Sequence, residues 1–151
     1  MLRQQISEAL KSAMKEKNSR ALSTLRLILA AIKDRDISVR AKGNQNGVND
    51  SELLSIFQSM IKQRRESINL YEKGGRNELA KQELEEISII EEFLPVQLTE
   101  EEESIAINDI IQETGTKSIK EMGRIMNVLK DKFPGRMDFA RTSRIVRERL
   151  E

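Results

Sequence analysis

The C-terminal part of the sequence is rich in side chains that could bind phosphate. Ten Lys and Arg stand against five Asp and Glu between Lys117 and Glu151, whereas residues 95–116 hold six acids and no base. Cationic side chains neutralise backbone phosphates and release counterions when a protein binds nucleic acid. The candidate nucleic-acid-binding residues are Lys120, Arg124, Lys130, Lys132, Arg136, Arg141 and Arg144. The residues leave one alternative open, which is that basic side chains simply favour the C-terminal ends of the last two helices.

A second basic cluster lies in the middle of the sequence, where its neighbours favour a structural role. It comprises Lys62, Arg64, Arg65, Lys73 and Arg76. Two acids, Glu66 and Glu72, are interleaved with these cations. Mixed charges of this kind are typical of the solvated face of a long helix, and exposed ion pairs contribute little to stability or binding. We therefore interpret this cluster as a solvent-facing surface.

The sequence lacks the residue types that most enzymes use for catalysis. It contains no His and no Cys. These two residues supply most nucleophile–base pairs and most zinc ligands. The four consecutive acids Glu100–Glu103 suit the positive end of a helix dipole better than a metal site, because successive helical residues point in different directions. We predict no catalytic site, metal or cofactor, although carboxylate, Lys or Tyr chemistry stays possible in principle.

The candidate residues must be positioned by helices. Apolar residues make up 38% of the chain and aromatic residues only 3%, so Leu, Ile, Met and Ala must form the core. They recur at helical spacing, and no segment shows sustained alternation of β-branched residues. We predict an all-α fold, with a four-helix bundle-like part over residues 1–94 and a smaller three-helix domain over residues 97–151. Gly74-Gly75 should join the third and fourth helices into a long antiparallel hairpin.

Helix starts are indicated by short polar residues. The predicted caps are Asn18 or Ser19, Asn49 or Asp50, Thr99 with Glu102, Ser118 with Glu121, and Asp138. Such side chains accept hydrogen bonds from the first free amides of a helix. Residues 41–48 contain turn formers and almost no apolar anchor, so we expect a mobile loop there.

The compartment is predicted from what the sequence does not contain. The N-terminus is amphipathic and lacks the continuous apolar run of a secretory signal. No stretch approaches the roughly 20 apolar residues of a membrane span. We expect a cytoplasmic protein without a membrane partner.

Five stretches, in order along the chain, carry a resemblance to a known family. They are Leu22–Lys33, Ile61–Ala80, Ile90–Thr99, Lys120–Met126 and Gly135-Arg136. Each is weak alone, but the ordered set is specific. Together they resemble the GatB/YqeY family over essentially the whole chain.

The resemblance implies a helical N-terminal bundle and a C-terminal domain similar to the tail of the B subunit of glutamyl/aspartyl-transfer-RNA amidotransferase. In that enzyme the tail is a transfer-RNA-contacting module, whereas the kinase and amidase chemistry lies elsewhere. The family's label, carbon–nitrogen ligase activity with glutamine as amido donor, is then inherited from the larger enzyme. The resemblance implies a non-catalytic accessory protein that binds transfer RNA or a transfer-RNA-handling enzyme. The alternative is a helical protein–protein adaptor with no nucleic-acid role.

Overall fold

The computed structural model describes residues 1–150, and every regular secondary-structure element within that range is a helix. The helices are α1 Leu2–Glu16, α2 Ser19–Ala41, α3 Asp50–Lys73, α4 Asn77–Glu91, α5 Glu100–Thr114, α6 Met122–Lys132 and α7 Phe139–Leu150, with one 3-10 turn at Ile119–Glu121. The predicted all-α class is confirmed. The chain divides into two compact units, a first unit over residues 1–94 and a second unit from Pro95 onward. No described helix is both long and apolar enough to cross a bilayer.

Most predicted helix caps are present. The side chains of Asn18 and Asn49 accept hydrogen bonds from the amides of Ala21 and Glu52, which begins α2 and α3. Thr99 and Glu102 form the full reciprocal capping box of α5. The Asp138 carboxylate accepts a hydrogen bond from the Ala140 amide at the start of α7. These starts are local, because the cap and the amides it satisfies lie within three residues of each other.

The cap predicted at Ser118 is different. The Glu121 amide donates to the backbone carbonyl of Ser118 at 3.0 Å, while the Ser118 hydroxyl accepts from Lys120 at 3.3 Å. A capping box needs the Glu121 amide to donate to the Ser118 hydroxyl. Here the tighter i to i+3 bonding of a 3-10 turn uses that amide. The following α-helix therefore begins at Met122, later than predicted.

The first unit is held by four helices around one apolar core. Ile6, Ile28, Leu53, Phe57 and Ile90 are fully buried in it. These residues come from all four helices, because each contributes one apolar side at helical spacing. The core therefore fixes α1 to α4 as one bundle.

The hairpin of α3 and α4 explains the central basic cluster. Arg64 donates to Glu86 at 3.0 Å, and Arg65 donates to Glu91 at 3.3 Å. Both acids lie on α4, across the turn at Gly75, whose φ of 72° suits glycine. A structural role is thus supported for Arg64 and Arg65, although only Arg65 faces solvent, since the Arg64 side chain is 12% exposed and the Arg65 side chain 58%.

The loop between α2 and α3 has an anchor that the sequence analysis missed. Val48 is buried, with 3% of its surface exposed. The Asp36 carboxylate accepts two hydrogen bonds from Arg3, at 2.9 and 2.8 Å, and one from the Val48 amide at 2.9 Å. Arg3 also donates to the Val48 carbonyl at 2.9 Å. Helix α1 and the end of α2 therefore clamp the loop at both backbone groups of Val48.

This clamp makes stability depend on acid pH. The hydrogen bonds from Arg3, together with that from the Val48 amide, lower the pKa of Asp36 from its usual 3.8 to about 2. A lowered folded-state pKa stabilises the fold above the unfolded-state value, and that stabilisation is lost as pH falls toward the folded value. We expect urea unfolding midpoints of the natural chain to fall between about pH 5 and about pH 2. Asp36→Asn should be less stable near neutral pH and should lose less stability over that acid range.

The second unit packs α6 against both α5 and α7. Its buried core includes Ile107 and Ile110 of α5, Ile125 and Leu129 of α6, and Val146 of α7. The turn after α6 is tied to the start of the unit, because the Leu98 amide donates to the Arg136 carbonyl at 3.0 Å. This small core determines which sides of α6 and α7, and therefore which of their basic side chains, face solvent.

Candidate nucleic-acid interface

The basic residues of the second unit lie on the sides of α6 and α7 that the core leaves uncovered. Ile125, Met126 and Leu129 bury one side of α6, and Thr142 and Val146 bury one side of α7. Of the seven candidates, Lys120, Arg124, Lys130, Lys132 and Arg144 are exposed, whereas Arg136 and Arg141 are half-buried. The candidates therefore divide into groups with different surroundings.

Arg141 is engaged with a buried carboxylate. Its guanidinium donates to Glu103, whose side chain is only 3% exposed. The Thr142 hydroxyl lies 2.7 Å from the other Glu103 oxygen. The hydrogen bond to Glu103 raises the pKa of Arg141 above its usual value. A buried carboxylate needs such partners, so Arg141 has a structural task in joining α7 to α5.

This role of Glu103 was not predicted from the sequence. Glu100–Glu103 form one acidic run at the helix N-terminus, but Glu103 is buried while its three predecessors are exposed. The side chains of four consecutive helical residues point in different directions, so one acid of such a run can be buried while the others face solvent. Within residues 1–150, no three His, Cys, Asp or Glu side chains are grouped to hold a metal ion.

Arg136 is also used within the unit. Its Nε donates to the Val96 carbonyl at 2.9 Å, and its guanidinium carbon lies 6.0 Å from the centroid of the Phe133 ring. These contacts hold the first residues of the second unit against the turn before α7. Arg136 is therefore already used in contacts within the unit, and a ligand would have to compete with them.

Two lysines of α6 have weak surface contacts. Lys132 donates to Glu113 at 3.4 Å, and both side chains are more than half exposed. Lys130 lies 6.0 Å from the centroid of the Phe139 ring. Exposed ion pairs and cation–π contacts contribute about 1 kcal/mol or less. A phosphate could compete for either lysine.

Three candidates carry a side-chain charge that has no partner in the described chain. Lys120, Arg124 and Arg144 make no side-chain hydrogen bond or ion pair within residues 1–150. Arg124 and Arg144 lie on the outer sides of α6 and α7, away from the buried residues. Of the seven candidates, these three side chains are the best placed to meet a polyanion.

The candidates of α6 do not share one face of that helix. Lys130 lies six residues after Arg124, a rotation of about 240° around the helix axis. Lys132 lies eight residues after Arg124, a rotation of about 80°. On α7, Arg144 has an exposed neighbour on the same side, Arg147, three residues later. Arg147 was not among the predicted candidates, although its spacing from Arg144 is visible in the sequence.

The chain matches a known protein-family model. This family model, described as "Yqey-like protein", matches residues 3–150. The matching range includes both units and nearly all of the described chain.

Curated relatives come from fungi and are named "Altered inheritance of mitochondria protein 41, mitochondrial". The chain is 34% identical to the protein of Eremothecium gossypii over 99 residues, which cover 64% of this chain and 52% of that protein. It is 28% identical to the protein of Vanderwaltozyma polyspora over 123 residues, covering 78% and 64%. The matches thus span from about half to just under two thirds of these relatives. Since the family model extends over almost the entire sequence, the chain belongs to the YqeY-like protein family.

Proposed function

We propose that this chain is a non-catalytic accessory protein that binds transfer RNA, or a transfer-RNA-handling enzyme, through its second unit. The observation that carries the proposal is the set of unpartnered, exposed cations Lys120, Arg124 and Arg144 on that unit. Cations that are not neutralised within the protein can replace the counterions of a phosphate backbone. The GatB/YqeY resemblance to a transfer-RNA-contacting tail points to the same ligand.

The expected contact is with phosphates and not with stacked bases. Phe133 and Phe139 are the aromatic residues of the second unit, and both pack against its core. Arg136 and Lys130 lie over their rings. A protein that binds single-stranded bases uses exposed aromatic platforms, whereas backbone contacts need only cations. We therefore expect affinity that depends steeply on salt and weakly on base sequence.

The carbon–nitrogen ligase reaction with glutamine as amido donor is not part of this proposal. Amide hydrolysis and transfer use an activated nucleophile, most often Ser or Cys paired with a base. The chain has neither His nor Cys. Glutamine turnover by the purified chain would contradict the non-catalytic assignment.

The compartment is part of the proposal too. We place the protein in the cytoplasm, where transfer RNA and its enzymes are available, as the sequence analysis predicts. The names of the fungal relatives assign those proteins to mitochondria. Fractionation followed by immunodetection would decide between the two compartments.

The site is tested by removing its charges. We expect Lys120→Gln, Arg124→Gln and Arg144→Gln together to weaken binding of bulk transfer RNA by about tenfold or more. The salt slope should fall by about one for each phosphate that the variant no longer neutralises. Fluorescence anisotropy with labelled bulk transfer RNA measures both quantities. All three side chains are exposed, so folding should be unchanged.

A matched control removes the same charge elsewhere. Lys62, Lys73 and Lys81 are exposed side chains of the α3–α4 hairpin without a partner in the described chain. Their joint replacement by Gln should leave affinity within about twofold if binding is local. Equal weakening by both triple variants would mean that only net charge matters, and the site assignment would be wrong.

A protein–protein adaptor is the second candidate, and a groove in the first unit favours it. The groove lies between α2 and α3 and has a volume of about 430 Å³. Its lining combines three apolar residues, Ala31, Ile56 and Met60, with six polar or charged ones, Asp34, Arg35, Ser38, Ser55, Ser59 and Gln63. Outside this lining, Leu27 and Leu70 are large apolar side chains on the same helices, with 48% and 70% of their surface exposed. Apolar docking is insensitive to salt, unlike phosphate binding. Partner binding that survives high salt would favour the adaptor.

A further inference from the structure

The strongest surplus of positive charge in the chain lies at its N-terminal end. Residues 1–42, which include the hairpin of α1 and α2, hold ten Lys and Arg against four Asp and Glu. Residues 43–94 hold six against ten. The first unit is therefore divided into a basic hairpin and an acidic hairpin, and the basic one has a surplus of six charges. The C-terminal segment from Lys117 has a surplus of five.

Ion pairing within the first unit uses little of this charge. Arg3 is bound to Asp36, and Arg20 donates to Glu85 at 3.2 Å. The other cations of α1 and α2 are exposed, and the described chain offers them no side-chain hydrogen bond or ion pair within 4.0 Å. In the second unit, by contrast, Arg136 and Arg141 are committed to internal contacts. The basic hairpin keeps more of its charge available to a ligand.

Three of these cations form a straight row on α2. Arg26, Lys33 and Arg40 are each seven residues apart within the helix Ser19–Ala41. Seven residues make nearly two full turns, so the three lie along one side with steps of about 10 Å and a total length of about 21 Å. All three side chains are exposed. A regular row of this length suits a ligand whose charges also repeat along a line.

The row has only one acid of its own helix at helical pairing distance. The residues three and four positions from Arg26 and Lys33 are Leu, Ser, Ala and Ile, apart from Asp36. Asp36 lies near enough to Arg40 for that charge to help lower its pKa, but both of its oxygens accept hydrogen bonds from Arg3. A solvated helix face normally pairs its cations with acids at these spacings. The row therefore has the excess charge of a binding surface.

We propose that Arg26, Lys33 and Arg40 form a second contact surface, in the first unit, for the phosphate backbone of a structured RNA. The ligand class rests on the proposed function, whereas the surface is separate from the cations of α6 and α7. The neighbouring Ile37 is half exposed, which would also suit an anionic lipid surface. Three evenly spaced cations, none of which forms a side-chain hydrogen bond or ion pair in the described chain, match a repeating polyanion better than one apolar side chain matches a bilayer.

The test is a double variant of the full chain that removes two positive charges, Arg26→Gln with Lys33→Gln. Arg40 is left in place because it supports Asp36. We expect this variant to weaken binding of labelled bulk transfer RNA by about tenfold and to lower the salt slope by about two. Lys73→Gln with Lys81→Gln is the matched control and should change affinity by about twofold or less. Equal urea midpoints for all forms will show that folding is not the cause.

The outcomes separate this inference from the proposed function. If the α2 variant binds as the natural chain does while the variant of Lys120, Arg124 and Arg144 is weakened, the α2 surface is wrong and the second-unit site stands. The reverse pattern supports the α2 surface and overturns the second-unit site. If the natural chain binds no transfer RNA, both are overturned. Vesicles of phosphatidylcholine and phosphatidylserine form a parallel arm, and capture by these vesicles without RNA binding would overturn the RNA assignment.

Discussion

Replacing Arg141 by Ala should lower the free energy of unfolding of the second unit by about 3 kcal/mol. The variant removes the cation that faces the Glu103 carboxylate, which is 3% exposed and would keep only Thr142 as a side-chain partner. Removal of one member of a buried pair typically costs 3–5 kcal/mol. The lower end applies here because the Arg141 side chain is 41% exposed, so water can replace part of its contact. Hydrogen exchange of the amides in residues 95–150 measures the destabilisation of this unit alone.

Arg144 provides the control for this prediction. It lies three residues later on the same helix, is exposed, and makes no side-chain hydrogen bond or ion pair within the described chain. Arg144→Ala should change stability by about 0.5 kcal/mol or less. Adding Glu103→Gln to Arg141→Ala should recover part of the stability, because the buried charge is then gone. Similar destabilisation by the Arg141 and Arg144 single variants would contradict the structural role of the pair.

Replacing Gly47 by Ala should destabilise the first unit by about 2–3 kcal/mol. Gly47 has a φ of +80°, in the region that L-residues occupy at a cost of roughly 1–2 kcal/mol. A Cβ atom there would lie 2.7 Å from an Asp36 oxygen and 3.1 Å from an Arg3 nitrogen. The clamp on Val48 would have to move to relieve these contacts. Urea unfolding followed by circular dichroism gives the change.

A glycine four residues earlier separates the two causes. Gly43 has a φ of +100°, but a Cβ atom there would meet nothing within 4 Å. Gly43→Ala should therefore show the backbone cost alone, about 1 kcal/mol. The difference between the two variants is the cost of disturbing Arg3 and Asp36. If the variants are equally stable, the clamp contributes nothing measurable.

Features that depend on neighbouring residues were predictable from the sequence. The caps at Asn18, Asn49, Thr99 and Asp138 and the turn at Gly74-Gly75 each involve residues within a few positions, so turn and cap chemistry specifies them. The start of α6 was missed because a 3-10 turn and a capping box compete for one amide, and the sequence does not rank them.

Features that join distant residues were not predictable in the same way. Arg3 and Asp36 are 33 residues apart, and Glu103 and Arg141 are 38 apart. A single sequence gives no signal that two such charges meet. The same limit applies to the candidate interface, because counting cations treats Arg141 and Arg144 alike. Only the fold separates a cation that holds a buried acid from one that faces solvent.

The central claim is that this chain binds transfer RNA through cations, and a salt titration tests it most directly. The natural chain is mixed with bulk transfer RNA, and the mobility shift is measured from low to near-physiological salt. We predict a shift that persists near physiological salt and weakens linearly in log affinity against log salt, with a slope of several units. The absence of a shift even at low salt would contradict the claim and favour the protein adaptor.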